Sequence, residues 1–329
     1  MAFVLPKTLL RVNSYKKLRK FLIENMQILQ IFDLGDFFKE VKGEQIVLIA
    51  KKKEGQRRTK IKILKDKNEK LEKQKSITIS NKVLRKHNNI PILENKKQYK
   101  LVNKIKDEGK ELRNLSQIFR GISISPNSDH VYTKKRKNSL PIIKGENISK
   151  FNFNTTFFLK KTFIKNNQKL VDKTRKNKII LQNIFSCESG IISAIDTKGL
   201  PTFDTVTNLV LNDKKITQKY LLGLLNSKLI NFYLTYAIFN RSKLTMHTDK
   251  SYIGKIPIKN PVKEKQKEIE KIIQKLLKRG IDAKKMENLD NKVYKLYKVN
   301  EEEKDIIDRS LKEIMSEKSY GRLNGKKNE

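Results

Sequence analysis

Two Glu-x-Lys triplets, Glu40-Val-Lys42 and Glu108-Gly-Lys110, are the spacings in this 329-residue chain that most suggest hydrolysis. Metal-dependent nucleases place such a pair after an aspartate. No Pro-Asp lies upstream of either triplet, and with lysine this frequent both arise readily by accident. The sole cysteine, Cys187, excludes a disulfide framework and any multi-cysteine zinc site. His87, His130 and His247 are scattered without ligand spacing, so no metal motif stands out.

Charge points elsewhere. Lys+Arg number 74 against 35 Asp+Glu, a formal net charge of +39, which attracts polyanions and speeds association with them. The surplus is largely lysine, with Asn and Ile enriched beside it. A coding sequence rich in A and T produces that bias without selection for charge, so nucleic acid is the leading partner but is not established by charge alone. The N-terminus shows neither a basic n-region nor a small-residue cleavage site, and a cytoplasmic location is expected.

The elements that would carry these residues fall into four stretches. Residues 1–53 alternate strand and helix: Phe3-Val4-Leu5, a helix with Tyr15, Leu18, Phe21 and Leu22 on one face and Ser14 as its cap, then strands at Ile28–Phe32 and Gln45–Ala50. Phe3-Val4-Leu5 reads as a buried strand, which needs sheet neighbours. Residues 54–114 are charged and weakly periodic and read as a basic linker with short strands, Ile77–Ile79 among them. Residues 115–260 carry short strands at Ile142-Ile143, Phe157–Leu159, Lys178–Leu181 and Asn208–Leu211. They also hold one long apolar segment, Tyr220–Phe239. Asn226, Ser227, Lys228 and Asn231 interrupt it, and the insertion cost of such residues favours a buried helix over a membrane span. Residues 261–329 read as helical, with Ile269, Ile272, Ile273, Leu276 and Leu277 as an apolar stripe and Val293-Tyr294 and Leu296-Tyr297 on a further packed helix.

Fragments within these stretches carry a family resemblance. They are FVLP at 3–6, YKKLRKFLIEN at 15–25, IFDLGDFFKEV at 31–41 and QIVLIAKK at 45–52, then IFRGI at 118–122, PIIKGENI at 141–148 and KIILQNI at 178–184. TVTNLVL at 205–211, YLLGLLNSKLINFYL at 220–234 and KIPI at 255–258 complete the series. In this order they resemble the C-terminal half of the gamma-class adenine-specific (N6) DNA methyltransferases of restriction–modification systems, with a TaqI-like target-recognition domain. The fold implied is an α/β remnant, the last strands of a methyltransferase sheet, followed by an α+β target-recognition domain with a helical C-terminus.

Members of that family carry a Gly-rich turn for S-adenosylmethionine and an Asn/Asp-Pro-Pro-Tyr/Phe tetrapeptide that holds the adenine amino group. This sequence has no Pro-Pro and no Gly-x-Gly after a strand. The resemblance therefore implies no cofactor site in this chain, S-adenosylmethionine only in a completed enzyme, and no methyl transfer by the chain alone. Where the family stacks an aromatic on the flipped-out target base, the matching position is Phe38, with Phe37 as its neighbour. Candidate contacts to double-stranded DNA are Arg120 at a turn, Lys144 and Asn147 around Gly145, the amides Gln182 and Asn183 suited to adenine, and Arg241 with Lys243 after the long helix.

Two readings stay open. The chain is the specificity-bearing half of an adenine methyltransferase that pairs with a separately encoded N-terminal half. Alternatively, it is a truncated product that holds DNA, or, less favoured, a restriction endonuclease component.

Overall fold

The computed structural model describes residues 1–316 except 36, 39, 40, 42, 53–57, 64–75, 81–89, 243 and 245. The chain forms two compact units. The first comprises Met1–Lys104, Tyr233–Leu244 and the segment from Asp308, and the second Ile105–Phe232 with Thr245–Ile307.

The first unit is built on a five-stranded sheet of Ala2–Pro6 (β1), Met26–Gly35 (β2), Gln45–Lys52 (β3), Arg58–Ile63 (β4) and Ser76–Ser80 (β5). Their order is β1-β3-β2-β4-β5, antiparallel except for the β2–β4 pair. The expected pairing of the second and third strands is present, with Ile31 opposite Leu48. β4 and β5 come from the stretch expected as a linker. Thr59, Ile61 and Ile63, then Ile77 and Ile79, point inward at every second residue, which gives each short strand one core face. Lys60 and Lys62 between the apolar residues of β4 hide its alternation in the sequence, while the Ile77–Ile79 strand within β5 is as expected.

Three expectations near the N-terminus are corrected. Among the described residues β1 is an edge strand that pairs with β3, and Phe3 and Val4 are about half exposed rather than buried. The helix Lys16–Asn25 turns Tyr15, Leu18 and Phe21 outward and buries Arg19 and Ile23 instead. Arg19 goes inside because its guanidinium donates to the carbonyls of Leu9 at 2.8 Å and Val12 at 2.6 Å, satisfying backbone groups that a leucine would leave unpaired. Ser14 is not a cap: it lies in a 3-10 turn, Asn13–Tyr15, and no side chain caps the helix.

The second unit contains short strands at Lys110–Glu111 (β6), Ser116–Arg120 (β7), Val131–Tyr132 (β8), Leu140–Ile142 (β9), Ile148–Ser149 (β10), Asn152–Phe153 (β11) and Phe157–Leu159 (β12). Lys178–Gln182 (β13), Ser193–Asp196 (β14), Val206–Leu211 (β15) and Pro257–Ile258 (β16) follow. Four of them form its main sheet, antiparallel in the order β14-β13-β15-β7, and a smaller sheet runs β8-β12-β9. The run Lys178–Leu181 is buried at every position because the strand is central and covered on both faces. Lys178 tolerates burial by pairing with Asp196 at 2.6 Å and donating to the Leu200 carbonyl at 2.7 Å. Burial lowers the Lys178 pKa, and the Asp196 bond opposes that shift.

The apolar segment expected as one long helix is three pieces: Gln218–Leu225, Lys228–Tyr233 and a π-helical Leu234–Ile238. The break falls at Asn226-Ser227. Asn226 donates to Ser193 Oγ at 2.8 Å, Ser227 Oγ donates to the Leu224 carbonyl, and Asp290 accepts the Lys228 N–H at 2.8 Å. Side-chain partners thus end one helix and start the next. Among the described residues no helix is long and apolar enough to cross a membrane. Helices Lys263–Arg279, Ala283–Leu296 and Glu301–Ser316 close the chain. Ile269, Ile272, Ile273 and Leu276 are buried as the stripe predicts, while Leu277 is exposed.

Candidate nucleic-acid interface

The main sheet of the second unit brings Arg120, Gln182 and Asn183 together. Arg120 ends the edge strand β7, opposite Thr207 of β15, and Gln182 ends β13, opposite Val206. The chain leaves β7 through Gly121, where an added Cβ would lie 2.3 Å from the carbonyl oxygens of both Thr202 and Phe203. Only glycine allows that approach, and Arg120 is thereby placed at the sheet end.

Asn183 is the centre of the cluster. It is buried, and all four hydrogen-bonding positions of its amide are used within the protein. Its Nδ2 donates to Thr207 Oγ1 at 2.6 Å and Asp249 Oδ1 at 3.2 Å. Its Oδ1 accepts from Arg120 Nη2 at 2.6 Å and from His247 Nδ1 at 2.9 Å. His247 Nδ1 also faces the Asn183 carbonyl at 3.1 Å. Both partners are acceptors, so this ring nitrogen carries the proton. Thr248 Oγ1 donates to the Gln182 carbonyl at 2.9 Å, so Thr207 Oγ1 is the donor in the 3.0 Å Thr207–Thr248 bond.

A continuous chain of bonds thus runs from Arg120 through Asn183, Thr207 and Thr248 to the end of β13. Arg120 is about half exposed: Nε donates to the Asp204 carbonyl at 3.1 Å and lies 3.7 Å from Asp249 Oδ1. The guanidinium is fixed on one side and open to solvent on the other.

The other amides are largely structural. Gln182 Nε2 donates to the Ile148 carbonyl at 2.7 Å. Asn147 Oδ1 accepts the Lys144 N–H at 3.3 Å, and its Nδ2 donates to Thr156 Oγ1 at 3.2 Å, closing the turn around Gly145. Gly145 sits against Thr205, whose carbonyl would be 2.5 Å from an added Cβ. Lys144 lies over the Phe157 ring at 5.2 Å and pairs with Glu146 at 3.0 Å.

Arg241 is not brought to this cluster. It belongs to the first unit, is buried, and its guanidinium lies 3.1 Å from Glu94 and 3.9 Å from Asp33. Asp33 also pairs with the buried Lys7 at 2.8 Å. Two cations share these carboxylates, so Arg241 balances buried charge and offers no free face to a duplex. Lys243 lies outside the described residues, as do Glu40 and Lys42 of the first triplet. Glu108 of the second triplet is bound to Lys259 and Lys298, and that pairing, led by the Lys259 hydrogen bond, holds its carboxyl below the usual range. Among the described residues no group of three or more His, Cys, Asp or Glu is disposed to hold a metal.

Phe38, in the first unit, lies in the turn between β2 and β3. Its ring is exposed and meets Phe37 edge-on at 5.2 Å between centroids. Gln45 steadies this turn, its Oε1 facing the Phe38 N–H at 3.5 Å and its Nε2 donating to the Gly43 carbonyl.

This arrangement of sheet, turn and sheet-end cluster lies largely within a region that a family model covers. Residues 140–258 match the TaqI-like C-terminal specificity domain. The matched region takes in β13, β14 and β15, and the edge strand β7, which carries Arg120, adds to the same sheet from before it. Among solved structures, the type IIL restriction-modification enzyme MmeI, in complex with DNA, is similar over 96% of this chain and 50% of its own, at 12% identity and a TM-score of 0.55. The type IIG restriction endonuclease BpuSI matches over 95% and 46%, at 12% identity and a TM-score of 0.48. The HsdS subunit from Thermoanaerobacter tengcongensis matches over 67% and 49%, at 11% identity and a TM-score of 0.31. The chain spans about half the length of each. A comparison with curated proteins gives no match. The likeness to MmeI shows a shared mixed α/β fold, with small sheets and C-terminal helices.

Sequence reasoning missed His247, Asp249 and Thr207 as the residues that set Arg120. They stand 64, 66 and 24 positions from Asn183, and nothing in local spacing links them.

Proposed function

We propose that this chain is the DNA-reading part of a restriction–modification enzyme, with the second unit reading a short duplex site. The match of residues 140–258 to a specificity domain carries this reading. The sheet-end cluster gives it chemistry: a half-exposed arginine, locked by a buried amide, is suited to a guanine edge or a phosphate. Asn183, expected to read adenine, instead orients Arg120.

The reaction served is methyl transfer to adenine N6. Its S-adenosylmethionine site and its catalytic tetrapeptide would be supplied by a separate N-terminal methyltransferase half. Phe38 stacks on the flipped base in that complete enzyme, where such contacts contribute roughly 1–3 kcal/mol.

The test is capture of fragmented genomic DNA by the purified chain in the presence of excess competitor. Recovery of fragments sharing one short sequence, carrying N6-methyladenine in the source cell, supports both levels of the proposal. A shared sequence without that mark retains DNA reading and removes adenine methylation. Capture of fragments with no shared sequence refutes the reading of a defined site.

A further inference from the structure

Away from the sheet-end cluster, the loop between β8 and β9 carries Lys134-Lys135-Arg136-Lys137, four consecutive cations, all exposed. In a chain this basic, a run of cations is by default a solvated face, so the decisive features are structural. Among the described residues none of the four pairs with a carboxylate, whereas Lys144, Lys178 and Lys259 do. Asp129, the nearest acid in sequence, forms no ion pair with them.

The loop is also closed on itself. Ser139 Oγ donates to the Arg136 carbonyl at 2.6 Å and accepts the Arg136 N–H at 3.0 Å, while the Ser139 N–H donates to the same carbonyl at 3.1 Å. Asn138 takes the left-handed conformation, φ 63°, that this turn needs and that asparagine adopts readily. Arg136 is further fixed over the Tyr132 ring at 4.9 Å from its centroid, and Lys160 approaches the same centroid at 4.9 Å. One aromatic thus gathers two cations from different elements beside a lysine-rich turn. Holding like charges together without acids is unfavourable in isolation and is relieved by a polyanion.

We propose that Lys134–Lys137, with Lys160, form a phosphate clamp that grips the DNA backbone. The clamp sets sequence-independent affinity and register, leaving base reading to the Arg120 cluster. This rests on the DNA-reading function above, and committing to a duplex follows from that reading; an anionic membrane surface is the competing occupant.

The experiment compares the full chain with K134Q/K135Q/K137Q. That variant leaves Arg136, its stack on Tyr132 and the Ser139 turn in place. A matched control, K267Q/K271Q/K275Q, removes the same charge from exposed positions on the helix Lys263–Arg279. Binding to a duplex of arbitrary sequence is measured by fluorescence anisotropy from 50 to 300 mM salt, with thermal unfolding as the folding control.

Each phosphate contact contributes about 0.9 to the log–log salt slope, so the loop variant is expected to lower the slope by about 2–3 and weaken binding at least tenfold near 0.1 M salt. The control is expected to lower it by less than about 1. Equal losses in the two triple variants would overturn the clamp while leaving DNA reading intact. A folded wild-type chain that binds no duplex would overturn both proposals. Loop-dependent binding to vesicles of anionic lipid, with duplex binding unchanged, would assign the loop to a membrane and likewise overturn the clamp.

Discussion

Replacing Asn183 by alanine separates a positioning role from a reading role within one cluster. The substitution removes four hydrogen bonds, two of them to the charged partners Arg120 and Asp249. Neutral buried bonds contribute about 1 kcal/mol each net, and those to charged groups somewhat more. Arg120 and Asp249 are partly exposed and recover water, and Thr207 keeps Thr248, so the expected loss is about 2–4 kcal/mol. In a unit of this size that lowers Tm by roughly 5–15 °C. Arg120→Ala removes one bond from Asn183 Oδ1, which retains His247, and takes away a half-exposed side chain, so its cost should be about 1 kcal/mol or less. On a selected DNA site the order reverses. Arg120→Ala should cost about 1–3 kcal/mol there and far less on arbitrary duplex. Circular dichroism melts and anisotropy titrations read the two effects. If Arg120→Ala unfolds as easily as Asn183→Ala while binding its site unchanged, Arg120 is structural and the reasoning fails.

Three further outcomes follow from the same structure. Gly121→Ala should destabilise the second unit by about 2–4 kcal/mol in a urea titration, because the added methyl meets two backbone carbonyls at 2.3 Å; a loss below 0.5 kcal/mol, taken as roughly the noise of a surface change, would show that the strand end shifts freely. Lys178→Met strands Asp196 in the core and should cost about 3–5 kcal/mol, measured the same way; a near-neutral result would mean that water reaches the pair. Glu108 has its carboxyl depressed chiefly by Lys259, so its ion pairs contribute fully above its ordinary pKa of 4.5 and are lost as pH falls through the lower folded value. Glu108→Gln should therefore reduce stability at pH 6 and narrow the gap to wild type on acidification toward pH 3. A gap that widens on acidification would show that Glu108 is not held by its lysines.

Much of the strand pattern was legible because short runs rich in β-branched and apolar residues mark strands whether one face is buried or both. Gln45–Lys52, Phe157–Leu159, Lys178–Gln182 and Val206–Leu211 all appear within a few residues of their expected places. Three features were hidden for physical reasons. Arg19 reads as polar yet is buried, because carbonyls inside the fold need a donor. β4 carries its apolar residues among Arg58, Lys60 and Lys62, so composition outweighed alternation, whereas the Ile77–Ile79 strand within β5 was legible. The apolar segment around Tyr220–Phe239 has helical periodicity throughout, while the break at Asn226-Ser227 depends on Ser193 and Asp290, far off in sequence.

At the site, residue type marked the right neighbourhood without separating the roles. Arg120, Gln182 and Asn183 do converge. That Asn183 is spent on Arg120, and that Arg241 is spent on Asp33 and Glu94, follows from burial and partners that no spacing encodes.

The most direct test of the central claim is selection from a randomised duplex library with wild-type chain and Arg120→Ala side by side. The account predicts that wild type enriches one short sequence and that Arg120→Ala enriches the same sequence with a single position relaxed. An identical, fully specified sequence from both proteins would show that Arg120 reads nothing, and no enrichment by folded wild type would contradict a DNA-reading function for this chain.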